Sequence, residues 1–404
     1  MGGNDLVTDI LNNDVDALMK SIKPGRSKNE SDIKYELKIE NQNSFPLKTT
    51  GLTLLHIAAL ANSLECFIYL HIQCGYSIEL QSNDGKLPFH FAIYAGASEV
   101  VEYILHYYET NFGSEGLQSK LFSDDYTNPD NKRTSILYLA AHSKSPKVLS
   151  LIFKYGYNAK KVFNETIQES FKTVITSKNI ECITVVLANM AKSKYGSDST
   201  PIMNAIMLNH SEAVPLLLDA NYDPTFVSAD HKTAMSTACF FCNVETVRLL
   251  AEKMDNVDLP RNISAPAAVH WICQSKSPEI ARILCEKGID VNRLDKEGRM
   301  GPYYILDVAT EKDTIEILKE LLKAGLQINY QSKGRNSILG DFLSAITTQS
   351  QVIDFLLDNG ADPNAIIYSQ SNKPTCFEQL KKKAKHSSNR KLLAVFEKHF
   401  GKLD

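Results

Sequence analysis

Two cysteines three positions apart, in Thr237-Ala238-Cys239-Phe240-Phe241-Cys242-Asn243-Val244-Glu245, have the spacing of a dithiol centre or of half a zinc site. A structural zinc needs four ligands, and no second Cys-x-x-Cys or paired histidine stands in register with these two. The other six cysteines, Cys66, Cys74, Cys182, Cys273, Cys285 and Cys376, are spread thinly and form no dense disulfide framework. His56, His90 and His270 recur in similar contexts, each before a small or apolar run, but far apart in sequence. The chain has no Gly-rich phosphate loop, no H-E-x-x-H helix and no G-x-S-x-G elbow. No catalytic, metal-binding or cofactor-binding residue is therefore assigned, and enzyme activity has no positive support. The cluster Lys381-Lys382-Lys383-Ala384-Lys385, with Arg390 and Lys391, has two readings: an import or acidic-surface patch, or the solvated face and last turn of a helix whose dipole favours cations.

The chain has 404 residues, enough for two or three ordinary domains or one repeat array. Lys and Arg total 44 against 47 Asp and Glu, a net charge of -3, which provides no overall pull toward nucleic acid or anionic membrane. Its first twenty residues lack a basic segment leading into an apolar one, and no long uncharged apolar run follows. A soluble, cytoplasmic protein is expected, with the nucleus as an alternative compartment, and the thiols are expected to be reduced.

Three signatures recur in a fixed order. The first is a turn leading into an apolar helix: Gly51-Leu-Thr-Leu-Leu-His-Ile-Ala-Ala59, Gly85-Lys-Leu-Pro-Phe-His-Phe-Ala-Ile93, Arg133-Thr-Ser-Ile-Leu-Tyr-Leu-Ala-Ala141, then Thr200-Pro201 and Thr233-Ala234. The second places Ser63, Ser98, Asn179, Ser211, Asn243, Ser277 and Thr314 where a polar residue caps a second helix, with glutamate in its first turn. The third, in Gly288-Ile-Asp-Val-Asn292, Gly325-Leu-Gln-Ile-Asn329 and Gly360-Ala-Asp-Pro-Asn364, supplies a left-handed glycine before an extended segment. Counted at His56, His90, Tyr138, Ser170, Met203, Ser236, His270, Tyr304, Gly340 and Glu378, most intervals lie between about 32 and 38 residues.

This pattern resembles the ankyrin-repeat family, whose unit is about 33 residues of turn plus two antiparallel helices with a T-P-L-H-x-A start. The resemblance covers roughly residues 49 to 400; the copy near Ser170 is degenerate, and the one near Tyr304 carries Gly301-Pro302. It implies an all-α ankyrin-repeat solenoid with short hairpin loops. Residues 1–48 would hold N-terminal capping helices and a polar, mobile loop from Lys23 to Lys48. Residues 49–372 would hold about nine units, with an insertion near 109–131, and residues 373–404 the C-terminal capping helices.

The same resemblance makes His56, His90 and His270 hydrogen-bonded structural residues. It places Cys66, Cys182 and Cys285 among small buried hydrophobes on second helices, and Cys239 at the second position of the Ala-Ala pair. Cys242 aligns with Asn62, Lys144, Asn209 and Lys276, at the end of the first helix. Phe240 and Phe241 align with Tyr94-Ala95, His142-Ser143, Met207-Leu208 and Gln274-Ser275, positions that line the partner-binding groove in the family. The expected binding residues are Tyr94, His142, Met207, Leu208, Phe240, Phe241 and Gln274, with Lys86, Asp230, His231, Lys232 and Arg335 at hairpin tips. The alternative at each apolar pair is that one side chain tucks against its own second helix. The implied function is non-catalytic binding of a protein partner by a monomer, with a regulatory subunit, a substrate adaptor or a host-directed microbial effector as alternatives using the same surface.

Overall fold

A helix pair with one apolar face needs a neighbour, and the chain meets this need within each of two packing units, Met1–Tyr195 and Gly196–Asp404. The computed structural model describes residues 3–24, 35–36, 47, 50–123, 134–158, 161, 164–189, 200–258, 267–306, 309–347, 349–385 and 390–403. In the first unit the helices are α1 (Gly3–Leu11), α2 (Val15–Ser21), α3 (Leu54–Leu60), α4 (Leu64–Ile68), α5 (Pro88–Ala95), α6 (Ser98–Gly116), α7 (Ile136–His142), α8 (Pro146–Lys154), α9 (Asn164–Thr176) and α10 (Ile180–Asn189). First helices stack on first helices, α3 on α5, α5 on α7 and α7 on α9, and second helices follow in parallel from α4 through α6 and α8 to α10.

The second unit repeats this scheme with α11 (Pro201–Met207), α12 (Ala213–Asp219), α13 (Ala234–Phe240), α14 (Val244–Lys253), α15 (Ala268–Ser275) and α16 (Pro278–Glu286). A 3-10 turn at Gly301–Ile305 then precedes α17 (Glu311–Lys323), α18 (Ile338–Ser344), α19 (Ser350–Asp358), α20 (Cys376–Ala384) and α21 (Arg390–Phe400). The turn stands where a first helix is expected, and Gly301 at its start lies against Val269 of α15. A Cβ there would lie 2.6 Å from a Val269 methyl and 3.1 Å from its carbonyl oxygen.

In the clearest repeats, as in α3, α5, α7 and α13, first helices are short and apolar nearly all round, so they are buried rather than amphipathic. Leu55, Ile57, Ala58 and Ala59 are fully buried in α3, as are Leu139, Ala140 and Ala141 in α7 and Ala238 and Cys239 in α13. Small residues at the Ala-Ala positions let adjacent first helices approach closely. Burying each large apolar side chain contributes about 1.5–3 kcal/mol, and most of that burial is against the next repeat.

Helix starts follow side-chain caps. Ser135, Thr200, Thr233, Ser337 and Thr375 accept a backbone N–H three residues on in first helices, and Ser145, Asn243, Ser277 and Thr310 do so in second helices. Four expected caps fall elsewhere. The Ser63 hydroxyl donates instead to Ile10 O at 2.5 Å, fastening α1 to the first repeat. Ser98 lies inside α6 behind Ala97, α12 begins only at Ala213, after Ser211, and Thr314 lies one turn inside α17, which Thr310 caps.

The backbone carries the period more faithfully than the side chains. Between first and second helices Asn62, Gly96, Lys144, Lys178, Asn209, Cys242 and Lys276 all adopt positive φ, and Gly288, Gly325 and Gly360 do so after second helices. Each left-handed residue reverses the chain without lengthening the loop. Cys242 is thus a turn residue, and its thiol donates to Ser275 O of the next repeat at 2.6 Å.

Two segments depart from expectation. Within the expected loop Lys23–Lys48, Tyr35–Glu36 pairs antiparallel with Thr50–Leu52, with Leu52 fully buried; the rest of that loop lies almost wholly outside the described residues. The insertion near 109–131 is helical as far as it is described. α6 continues to Gly116 with a kink at Gly113, followed by a π-turn over Leu117–Leu121, which buries Leu117, Leu121 and Phe122. Those apolar residues cover surface that a polar loop would leave wet.

Buried polar staples join neighbours. The Thr53 N–H donates to His56 Nδ1 at 3.1 Å, so Nε2 carries the proton and donates to Lys86 O of the next repeat at 2.9 Å. His270 repeats this with the Ala267 N–H at 2.9 Å and Arg299 O at 3.4 Å, and His90 accepts the Leu87 N–H at 3.2 Å. On the other side of each repeat, Asn292 donates to Gly325 O at 2.9 Å and accepts the Gln327 N–H at 2.7 Å; Asn329 does the same with Gly360 O at 2.8 Å and the Asp362 N–H at 2.7 Å.

Two outcomes follow. Asn329→Ala removes both bonds of one staple and is expected to lower unfolding free energy by about 1–2 kcal/mol, read as a lower urea midpoint with an unchanged slope; an unshifted midpoint contradicts the staple. Burial, reinforced by the Lys86 charge, lowers the His90 pKa to about 3. The folded value thus lies below the unfolded value near 6.5, so stability is complete above about pH 6.5 and declines as pH falls toward 3. Between pH 7 and pH 4 this one group is expected to remove roughly 3 kcal/mol. Urea titrations of wild type and His90→Gln should therefore diverge in pH slope, and identical slopes contradict a neutral buried imidazole.

Candidate functional site

The end of each first helix is the place where a repeat can spend a side chain on something other than its neighbour. In the second unit, α13 ends at Phe240 with Phe241 as its C-cap, and the two rings are 54% and 48% exposed. They meet edge to face, centroids 5.3 Å apart. Met207 ends α11 and is exposed at the matching position, Leu208 behind it is part-buried, and Gln274 near the end of α15 is part-buried. Because α11 packs on α13 and α13 on α15, Met207, Phe240 and Gln274 belong to one row.

The first unit shows how such a row behaves. Tyr94, near the end of α5, stacks on His142, which ends α7, with centroids 5.0 Å apart and an interplanar angle of 23°. Matching positions of adjacent repeats therefore touch. Burial raises the Tyr94 pKa, and burial followed by the Lys144 charge lowers that of His142, so both rings are neutral near pH 7. Two part-buried rings that satisfy each other offer less free apolar surface than Phe240 and Phe241.

Of the hairpin residues, Asp230, His231, Lys232 and Arg335 are exposed. Asp230 and Lys232 pair at 2.6 Å, each more than half exposed, a contact worth little in stability but available for steering. Lys86 corrects the expectation of an exposed tip. It is 7% exposed because it stands at the base of the hairpin, where its N–H donates to Ser82 Oγ and its carbonyl accepts the His56 ring proton. The tip belongs to Asp84 and Gly85.

The groups capable of chemistry are dispersed. Burial pushes the Cys66 and Cys182 thiols up to about 11 and Cys285 to about 12, while Cys239 and Cys273 rise further. These thiols are held in the form that neither attacks nor ligates. Among the described residues Asp354, Asp358 and His399 bring ligand atoms within 4.8 Å of one another, but the Lys398 ammonium already contacts both carboxylates at 2.8 Å. That cluster ties α19 to α21. At the 3-10 turn, burial opposes the Asp295 charge, yet the Arg299 N–H, the Tyr304 hydroxyl and the Arg299 guanidinium hold its carboxyl at about 2.

One feature lies partly outside the repeat pattern. Tyr303, Tyr330, Tyr368, Arg335 and Asp341 line a cavity of about 320 Å³ in the second unit. Of these, sequence reading singled out Arg335 alone. Tyr330 and Tyr368 share a repeat position, each ten residues before the reference residues Gly340 and Glu378, whereas Tyr303 lies on the 3-10 turn Gly301–Ile305.

A family model described as ankyrin repeats (three copies) matches residues 12–116, 55–164, 171–263 and 202–295. The chain is 22% identical over 245 residues to L371, a protein of Acanthamoeba polyphaga mimivirus named for its ankyrin repeats, covering 57% of this chain and 30% of that protein. It is 23% identical over 225 residues to the phosphocholine transferase AnkX of Legionella pneumophila, covering 49% of this chain and 22% of that one. The chain thus spans less than a third of either relative. Among solved structures, the ankyrin repeat domain of Bcl-3 is 20% identical at a TM-score of 0.46, covering 58% of this chain and 99% of that domain. The human ASB11 ankyrin repeat domain is 17% identical at 0.32, covering 67% and 97%. With the family model spanning well over half of the residues and the turn, staple and helix order repeating as described, the chain belongs to the ankyrin-repeat family.

Proposed function

We propose that the chain is a non-catalytic protein-binding module that docks a partner on the row of first-helix ends in its second unit. The observation that carries this reading is the pair Phe240 and Phe241, two adjacent aromatic rings about half exposed at the end of a rigid helix. Leaving them exposed to water costs free energy that a partner recovers, and the preformed helix end loses little entropy on binding. Met207 extends the apolar row, and Asp230, His231 and Lys232 supply exposed polar groups on the hairpin before α13.

Nucleic acid is disfavoured by the net charge of -3, and no described helix is long and apolar enough to cross a membrane. The reading extends to a cytoplasmic monomer. A regulatory subunit, a substrate adaptor or a host-directed effector would use the same surface; the similarity to part of a Legionella phosphocholine transferase fits a binding segment carried within a larger protein.

The test is affinity capture from native lysate with wild type and Phe240→Ala/Phe241→Ala, quantifying the proteins retained. Both side chains are exposed, so the double variant is expected to keep its melting temperature within a few degrees. Retention of the specific partner is expected to fall by about tenfold or more. Equal capture by a folded double variant contradicts the proposed surface.

A further inference from the structure

The last helix pair of the second unit, α20 and α21, has a charge opposite to that of the repeats before it. Residues 373–404 hold nine Lys and Arg against three Asp and Glu, whereas residues 196–372 hold 15 against 23. Six of those nine cations fall within residues 381–391, at the end of α20 and the start of α21. The two helices run antiparallel, because Phe377 near the start of α20 meets Phe396 and Phe400 near the end of α21, with centroids 5.6 and 5.1 Å away. The other end of the pair therefore gathers Lys381, Lys382, Lys383 and Lys385 with Arg390 and Lys391.

Helix dipoles account for only part of this arrangement. Lysines in the last turn of α20 suit its negative end, but Arg390 and Lys391 open α21, where the dipole opposes cations, and the first turn there holds no acidic residue. Carboxylates do not offset them either. Lys253, Lys319, Lys323 and Lys398 each pair with a carboxylate, at 3.7, 2.8, 2.7 and 2.8 Å. Among the described residues, Lys381, Lys382, Lys385, Arg390 and Lys391 form no ion pair. The acids on α19, α20 and α21 are engaged or placed elsewhere: Glu378 accepts the Thr375 N–H at 2.8 Å, Asp354 and Asp358 hold Lys398, and Glu397 lies in the last turn of α21. Like charges gathered against a dipole and left unpaired form a surface that an anion stabilises.

We propose that the basic end of α20 and α21 docks a short acidic segment of a partner polypeptide. No large hydrophobic residue of either helix is exposed, so the surface has neither rings for bases to stack on nor apolar side chains to enter a bilayer. Its positive charge is also confined to one end of a helix pair that follows acidic repeats, which suits a short anionic segment better than an extended polyanion. That the anionic groups are carried by a polypeptide rests on the protein-binding reading above. The surface includes neither Phe240 nor Phe241.

The full chain is titrated with fluorescein-labelled hexaglutamate, read by anisotropy, in parallel with an oligothymidylate of equal charge and with vesicles containing phosphatidylserine. Hexaglutamate is expected to bind more tightly than either, and to weaken at least about tenfold as salt rises from about 50 to 300 mM. Lys381→Gln/Lys382→Gln/Lys385→Gln and, separately, Arg390→Gln/Lys391→Gln are each expected to weaken it about tenfold. The second variant removes cations that oppose a helix dipole, so its melting temperature is expected to hold or rise, which separates lost binding from lost fold. Lys253→Gln/Lys319→Gln/Lys323→Gln removes three paired lysines and is expected to keep the affinity within about twofold, which separates the local surface from net charge. Absence of hexaglutamate binding, tighter binding of the oligothymidylate or the vesicles, equal loss in the Lys253, Lys319 and Lys323 variant, or full affinity in a folded Arg390→Gln/Lys391→Gln overturns the proposal. Phe240→Ala/Phe241→Ala is expected to bind hexaglutamate as wild type does, so this titration and the capture experiment fail separately.

Discussion

No repeat in this chain can bury its own apolar face, and the rest of the structure follows from that constraint. A first helix of seven or eight residues is too short to be stable alone. It becomes stable by being covered on both sides, which is why Ala58, Ala59, Ala140, Ala141 and Ala238 stand where adjacent helices meet. Small residues allow the approach, and the histidine and asparagine staples then align one repeat with the next. His56 reaching Lys86 O and Asn329 reaching Gly360 O each satisfy a carbonyl that the turn geometry leaves without a helical partner.

This dependence explains what the sequence could and could not disclose. The period was readable because the constraint recurs: the apolar starts, the Asn-terminated loops and the left-handed turn positions appear in copy after copy. The alignment of Cys242 with Asn62, Lys144, Asn209 and Lys276 proves to be a shared backbone conformation, since all five have positive φ. The thiol spacing that first suggests chemistry is a by-product of one residue filling an alanine site and the next a turn site. Individual caps were less readable, because a serine can hydrogen-bond to several carbonyls and N–H groups within reach. Ser63 shows this by turning to Ile10 instead of capping α4. Lys86 was misplaced for a related reason: charge suggests a tip, whereas its backbone is the partner of a buried histidine.

Candidate sites were legible in proportion to how far they obey the repeat. Phe240, Phe241 and Met207 stand exposed at the first-helix ends that the alignment singles out, while Tyr94, His142, Leu208 and Gln274 at matching positions are part-buried. The tyrosine-lined cavity could not be found this way, because Tyr303 sits on a 3-10 turn where a first helix is expected, and Asp341 reaches the cavity from the following repeat. Irregularity in an otherwise periodic array creates concave surface, and periodic alignment is blind to it. The scaffold and the surfaces are thus separable: staples and alanines set the stack, while helix ends, hairpin tips and irregular repeats remain free to vary.

The most direct test of neighbour-dependent stability is native-state hydrogen exchange on His56→Ala, read helix by helix. The variant loses the bond to Lys86 O and leaves Thr53 without its buried partner. Protection is expected to drop in α3 and α5, the two helices that this histidine joins, while α13 in the second unit keeps its wild-type protection. A uniform loss across both units, or no loss in α5, contradicts the account.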